Sequence, residues 1–230
     1  MCGVTLYFLL ENIALTYTFA SNVGVVVSVA PFFTAIFAHH FLDREKLRLR
    51  FFIGFVVAIL GIIIISFNGS IRLQLNPIGD LLAVSAAVVW AAYAVLSKKI
   101  SDFHYNTIQV TRRIFFYGLV FMFPVFVISG FKPNLNQMMQ PIYLFNILFL
   151  GLGASALCFV TWNWAVKILG AVKTSAYIYA VPVITVATSV IVLHERITGI
   201  AVFGIMLTLA GLFVSQSKSF STDKGNLEYE

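Results

Sequence analysis

Charge is what this chain has least of. Asp, Glu, Lys and Arg make up 10% of its 230 residues, against about 25% in ordinary soluble domains. Cysteine is scarce as well: Cys2 and Cys158 each sit among apolar residues, which excludes a disulfide framework and a cysteine-based metal centre. No G-x4-G-K-[ST] loop occurs, so no nucleotide site of that kind supplies energy. HExxH and GxSxG are missing too, as are paired aspartates in apolar runs, so no pattern of an intramembrane protease or lipid-modifying enzyme is present. His39 and His40 are adjacent but have no further ligands near them in sequence, too few for a metal. The net charge of +6 comes from short basic clusters between apolar stretches. Nucleic-acid binding needs basic residues gathered on one face, and none is expected here.

What is there is apolar surface. Hydrophobic residues make up 60% of the chain, where about 45–50% is usual, and one soluble core of this length cannot hide that much. The chain therefore reads as a membrane protein. A helix needs about 20 mostly apolar residues to cross the bilayer. Eight stretches qualify, at 2–18, 22–42, 51–68, 78–97, 114–130, 142–165, 172–193 and 198–215. The expected fold is all-α, a polytopic membrane helix bundle, ending in a polar cytoplasmic tail over 216–230. The chain opens inside an apolar segment without a cleavable signal pattern, so it is expected to be a piece, or a shortened version, of a longer protein.

The spans sort the basic residues by side. One side receives Arg44, Lys46, Arg48, Arg50, Lys98, Lys99, Arg112, Arg113, Lys167, Lys173, Lys218 and Lys224; the other receives only Arg72, Lys132 and Arg196. Cytoplasmic loops carry the excess of Lys and Arg, so both termini are expected in the cytoplasm.

A repeat runs through the chain. Residues 6–42 laid over 157–193 pair Asn12 with Asn163, Pro31 with Pro182 and Thr34 with Thr185. After a one-residue shift, Glu45, Gly54 and Gly61 answer Glu195, Gly204 and Gly211, an E-x8-G-x6-G pattern in both copies. The loop DREKLRLR falls on the basic side and its partner HERITG on the other, so the copies are expected to be inserted upside down to each other. Inverted repeats of this kind belong to secondary transporters, whose substrate site lies near the midplane between the repeats. The division expected is 1–70, three helices left of a first repeat, and 77–215, five helices of a second. The parent would then have ten helices in a five-plus-five arrangement, two of them lost upstream.

The segments ENIALTYTFASNVGVVVSVAPFFTAIF, DREKL and GFVVAILG, then GDLLAVSAAVVWAAYAVLSKK and NWAVKILGAVKTSAYIYAVPVITVATSVIVLHERIT, carry a family likeness in their order and spacing. The chain resembles the EamA family of the drug/metabolite transporter superfamily, without its first two helices. The resemblance implies ten helices in two inverted repeats, a location in the inner or plasma membrane, and movement of small metabolites, often outward. The expectation is a secondary transporter, an exporter of small organic metabolites or drug-like compounds, that needs no cofactor. A non-transporting membrane subunit or an inactive fragment is the alternative, with an intramembrane enzyme as the least favoured one.

Candidate substrate contacts follow from cost. Proline in a helix interior costs roughly 3 kcal/mol, and the carbonyls it frees in hydrocarbon must find other donors. Pro31, with Gly24, Ser28 and Thr34, and Pro182, with Ser175, Tyr179 and Thr185, form two small or polar stripes that suit cavity walls; close helix packing is the bland alternative. Glu11 is the acidic residue deep in a span and is the candidate to carry a coupling proton or bind a substrate amine. Asn12 and Asn163 are candidates for substrate hydrogen bonds or for joining helices. Trp90, Trp162 and Tyr177, with Tyr93 and Trp164 behind them, are candidates to enclose an organic solute. Glu45 and Glu195 are expected to complement helix macrodipoles, and the four repeat glycines to permit close helix contact.

Overall fold

A computed structural model of the chain describes residues 1–18, 20–42, 49–66, 76–130, 135–193 and 198–216. Every regular element among them is helical. A π-helical turn, Cys2–Leu6, leads into α1 (Tyr7–Tyr17). It is followed by α2 (Ala20–Val27), α3 (Ala30–Phe41), α4 (Leu49–Ser66), α5 (Pro77–Ser101) and α6 (Thr107–Ile128). Then come the short α7 (Leu135–Met138), α8 (Pro141–Leu148), a π-helical stretch Phe149–Leu157 and α9 (Cys158–Leu169). The chain continues with α10 (Ala171–Ala176), a 3₁₀ turn Tyr177–Tyr179, α11 (Ala180–Leu193) and α12 (Gly199–Gln216). Glu45, Glu195, the tail 217–230 and the loops bearing Arg44, Lys46, Arg48, Arg72, Lys132 and Arg196 lie outside the described residues.

Among the described residues, six helical segments are long and apolar enough to cross a bilayer: Val23–Phe41, Pro77–Ser101, Thr107–Ile128, Pro141–Leu169, Ala171–Thr188 and Gly199–Gln216. Cys2–Tyr17 and Leu49–Ile65 are apolar but shorter. The chain is thus a polytopic helical bundle and an integral multi-pass membrane protein. The outer faces agree: Phe116, Phe123, Phe145 and Leu152 are all more than 60% exposed. In lipid such faces need no polar cover, because the helix satisfies its own backbone.

Local chemistry sets the helix starts. Asn76 caps α5, its side chain accepting from the backbone N–H of Ile78 at 3.1 Å and Gly79 at 3.2 Å, and Pro77 occupies the first turn, where its missing N–H costs nothing. Asn106 caps α6 in the same manner, accepting from Ile108 and Gln109. The most extensive helix pair is α4 against α12, and glycine makes it possible. A Cβ at Gly54 would lie 2.6 Å from the Gly211 carbonyl oxygen, and one at Gly204 would lie 2.9 Å from that of Gly61. Gly61 would meet Thr208. These glycines are close-contact positions, and backbones touch where side chains would have held them apart.

Two spans are broken at matching places. The helix of Val23–Phe41 is interrupted by a turn at Ser28 and Val29, just ahead of Pro31. The helix of Ala171–Thr188 tightens to 3₁₀ at Tyr177–Tyr179, just ahead of Pro182. At the first break, Ser28 Oγ donates to the Gly24 carbonyl at 2.7 Å, and the backbone of Phe32 donates to Val29 at 2.9 Å. Both groups of atoms stay satisfied where the regular ladder stops.

Candidate functional site

The two breaks wall one cavity of about 620 Å³. Tyr7 and Glu11 of α1, Gly24, Val25 and Val27 of α2, Ser28 of the turn after it, and Ile62 and Ile65 of α4 line one part of it. Trp90 of α5, Trp162 of α9, Ile178, and Val181, Pro182 and Val186 of α11 line the rest. Its size suits a drug-sized solute, since ligand pockets span about 300–1,000 Å³.

The polar equipment of the cavity is sparse and local. Tyr7 Oη donates to Glu11 Oε1 at 2.9 Å; these residues stand one helical turn apart, on the same face of α1. Among the described residues, Glu11 Oε2 has no hydrogen-bond partner, and none of those lining the cavity is Lys, Arg or His. Aromatic rings form the adjoining wall: Tyr7 and Trp90 have centroids 4.9 Å apart, and Trp90 and Trp162 5.1 Å apart, all tilted to each other. The indole Nε1 atoms of both tryptophans are buried and without partners among the described residues. What these side chains offer the cavity is therefore ring surface, not an N–H.

A packed apolar cluster adjoins the cavity. Ala38 of α3, Ala94 and Val95 of α5, and Ala171 of α10 form a buried cluster, with Phe37, Leu42, Trp162 and Val172 against it. Along α5 the order is Trp90 in the cavity, then Ala94 and Val95 in the cluster, then Lys98 and Lys99 at the helix end. Along α9 the cavity residue Trp162 precedes Lys167 in the last turn. The cluster thus lies between the cavity and the lysine-bearing end.

Of the residues singled out from sequence, Glu11, Ser28, Trp90, Trp162 and Pro182 line this cavity together. The others lie elsewhere. Pro31 and Tyr179 are completely buried in helix contacts, Tyr179 among Ala58, Ile62 and Ala176. Asn163 is buried in a network, accepting from Tyr93 Oη at 2.8 Å and donating to Thr111 Oγ1 at 3.0 Å. Asn12 is exposed and donates to the Phe8 carbonyl at 2.7 Å, so the repeat-related asparagines have different surroundings. Tyr177 and Trp164 are 51% and 58% exposed and face outward from the bundle. Tyr7 was not singled out; its place four residues before Glu11 was the available signal. Among the described residues no group of His, Cys, Asp or Glu is arranged to hold a metal.

A family model described as the EamA-like transporter family matches residues 1–67 and 77–216. Among curated proteins, an uncharacterized transporter of Archaeoglobus fulgidus is 25% identical over 220 residues, which cover 95% of this chain and 74% of that one. An uncharacterized transporter of Clostridium kluyveri is 27% identical, covering 95% and 71%. The uncharacterized transporter YetK of Bacillus subtilis is 24% identical, covering 96% and 67%. A solved crystal structure of a protein superposes with a TM-score of 0.76 at 21% identity, over 91% of this chain and 71% of that chain, a likeness of fold.

Proposed function

The chain belongs to the EamA-like transporter family, and from that premise we propose that it is a secondary transporter moving a small organic solute by alternating access through the cavity between Glu11 and Pro182. The observation that carries this reading is that one cavity is walled by both broken helices, at Gly24 and Ser28 on one side and at Ile178 and Pro182 on the other. Broken helices at a midplane cavity are how transporters meet a solute inside hydrocarbon. Membership of a transporter family also points away from an enzyme.

In this reading, residues 1–70 and 77–215 are the two inverted repeats, and rocking of one against the other opens the cavity to each side in turn. The lysine-rich end is cytoplasmic, with the C-terminus, in the inner or plasma membrane. The Ala38, Ala94 and Ala171 seal then closes the cytoplasmic side, leaving the cavity in communication with the outside, the state from which an exporter releases its solute. Glu11 is the candidate to carry a coupling proton, with Tyr7 steadying its carboxylate. Pro31, Asn163 and Tyr179, which lie buried off the cavity, are assigned to helix packing in this state, and the exposed Asn12 and Tyr177 are assigned no contact with the solute.

Gly24 supplies the test. A Cβ there meets nothing within 4 Å, and the residue lines the cavity. Gly24→Phe should fill the cavity while leaving the thermal stability of the purified protein close to wild type. Efflux of a panel of labelled amines, purines and amino acids from cells producing the chain should fall to background in this variant. A transported compound whose efflux survives Gly24→Phe would place the pathway elsewhere.

A further inference from the structure

We infer that the cavity selects an organic monocation with an apolar body, seated with its charge between Glu11 and the rings of Tyr7, Trp90 and Trp162. This deepens the transporter reading of the same cavity and rests on it. Among the described residues, Glu11 is the sole charged one lining the cavity, and its Oε2 is unpartnered. A carboxylate facing a largely apolar space is costly without a counter-charge, so the solute that binds best is the one that supplies it.

The aromatic wall points to the same ligand. Trp90 and Trp162 turn their rings, not their buried N–H groups, to the cavity, and Tyr7, Trp90 and Trp162 form a continuous tilted series beginning at the Glu11 partner. A ring face attracts a cation within about 6 Å of its centroid, more strongly once water is excluded. Apart from Gly24 and Ser28, the remaining lining, Val25, Ile62, Ile178 and Val186 among it, is aliphatic and suits a hydrocarbon body. An anion would meet the carboxylate with no compensating Lys, Arg or His. One carboxylate matches one positive charge.

Three probes of one shape separate charge from size: benzyltrimethylammonium, its neutral carbon analogue neopentylbenzene, and the anion phenylmethanesulfonate. With the full chain in nanodiscs, tryptophan fluorescence should titrate saturably with the cation at an affinity at least about tenfold above the neutral probe. The anion should give no saturable change. Glu11→Gln, which keeps an acceptor for Tyr7, should weaken the cation about tenfold and leave the neutral probe unmoved. Trp90→Leu should weaken the cation severalfold, whereas Trp90→Phe should retain most of its binding. Equal affinity for cation and neutral probe, or undiminished cation binding in Glu11→Gln, overturns the inference. Counterflow in liposomes keeps the two readings apart. Saturable cation binding without counterflow supports the cation site and removes the transporter reading, while counterflow of neutral or anionic solutes without cation binding removes the cation site alone.

Discussion

Tyr93 and Tyr179 are both buried tyrosines of the helix interior, and their hydroxyls have opposite circumstances. Tyr93 Oη donates to Asn163 Oδ1 at 2.8 Å in a chain that continues to Thr111, while the Tyr179 hydroxyl is buried without a partner among the described residues. Removing one partner of a buried hydrogen bond leaves the other unsatisfied, at a cost of about 1–3 kcal/mol. Removing a hydroxyl that bonds nothing returns its desolvation cost. Tyr93→Phe should therefore lower the melting temperature in detergent, and Tyr179→Phe should leave it equal or higher. A fall in Tyr179→Phe comparable to that in Tyr93→Phe would mean that the Tyr179 hydroxyl is satisfied after all. The same contrast explains why residue type alone leaves two readings open for neighbours in sequence: Trp162 reaches the cavity, and the adjacent Asn163 joins helices through Tyr93 and Thr111. Helix phase alone, 100° per residue, separates them.

At the scale of elements, α4 and α12 cross on backbone, and this contact was legible from the E-x8-G-x6-G pattern because close approach leaves a glycine signature. Gly211 makes the strictest demand: a Cβ there would meet the backbone of Ala58 and lie 2.6 Å from the Gly54 carbonyl oxygen. Backbone does not step aside as a flexible side chain does. Gly211→Ala should cost about 1–3 kcal/mol from overpacking despite the better helix propensity of alanine. Gly199→Ala, in the same helix with nothing within 4 Å of its Cβ, should be neutral or stabilising. Thermal unfolding of the pair in one detergent checks this; similar shifts for both would mean that the crossing is looser than its geometry. The broken helices were legible in part. Pro31 and Pro182 flag them, yet Pro124 lies inside α6 without interrupting it. Proline marks where a break is tolerated, and packing on the preceding turn decides whether one forms.

For the whole molecule, fold class followed from hydropathy because a bilayer demands long apolar helices, and six such segments are present among the described residues. The cavity was only half legible, since which face of each helix meets it depends on how the helices pack, not on local pattern. Glu11 was found by its cost in hydrocarbon, and Tyr7, carrying no such cost, was not. Orientation is the remaining global property, and it follows from charge: Lys98 and Lys99 end α5 and Lys167 ends α9, so the turn from α5 to α6 faces the cytoplasm if the basic excess does. That turn and the far end of α6 then lie on opposite sides, 22 helical residues apart, about 33 Å at 1.5 Å per residue. Phe103 is 70% exposed in the first, and Ser129 caps the second with its side chain exposed. In a chain with Cys2 and Cys158 replaced by alanine, Ser129→Cys should react with a membrane-impermeant maleimide added to intact cells. Phe103→Cys should react only after permeabilisation. The reverse pattern would invert the molecule, and with it the side to which the cavity is proposed to open.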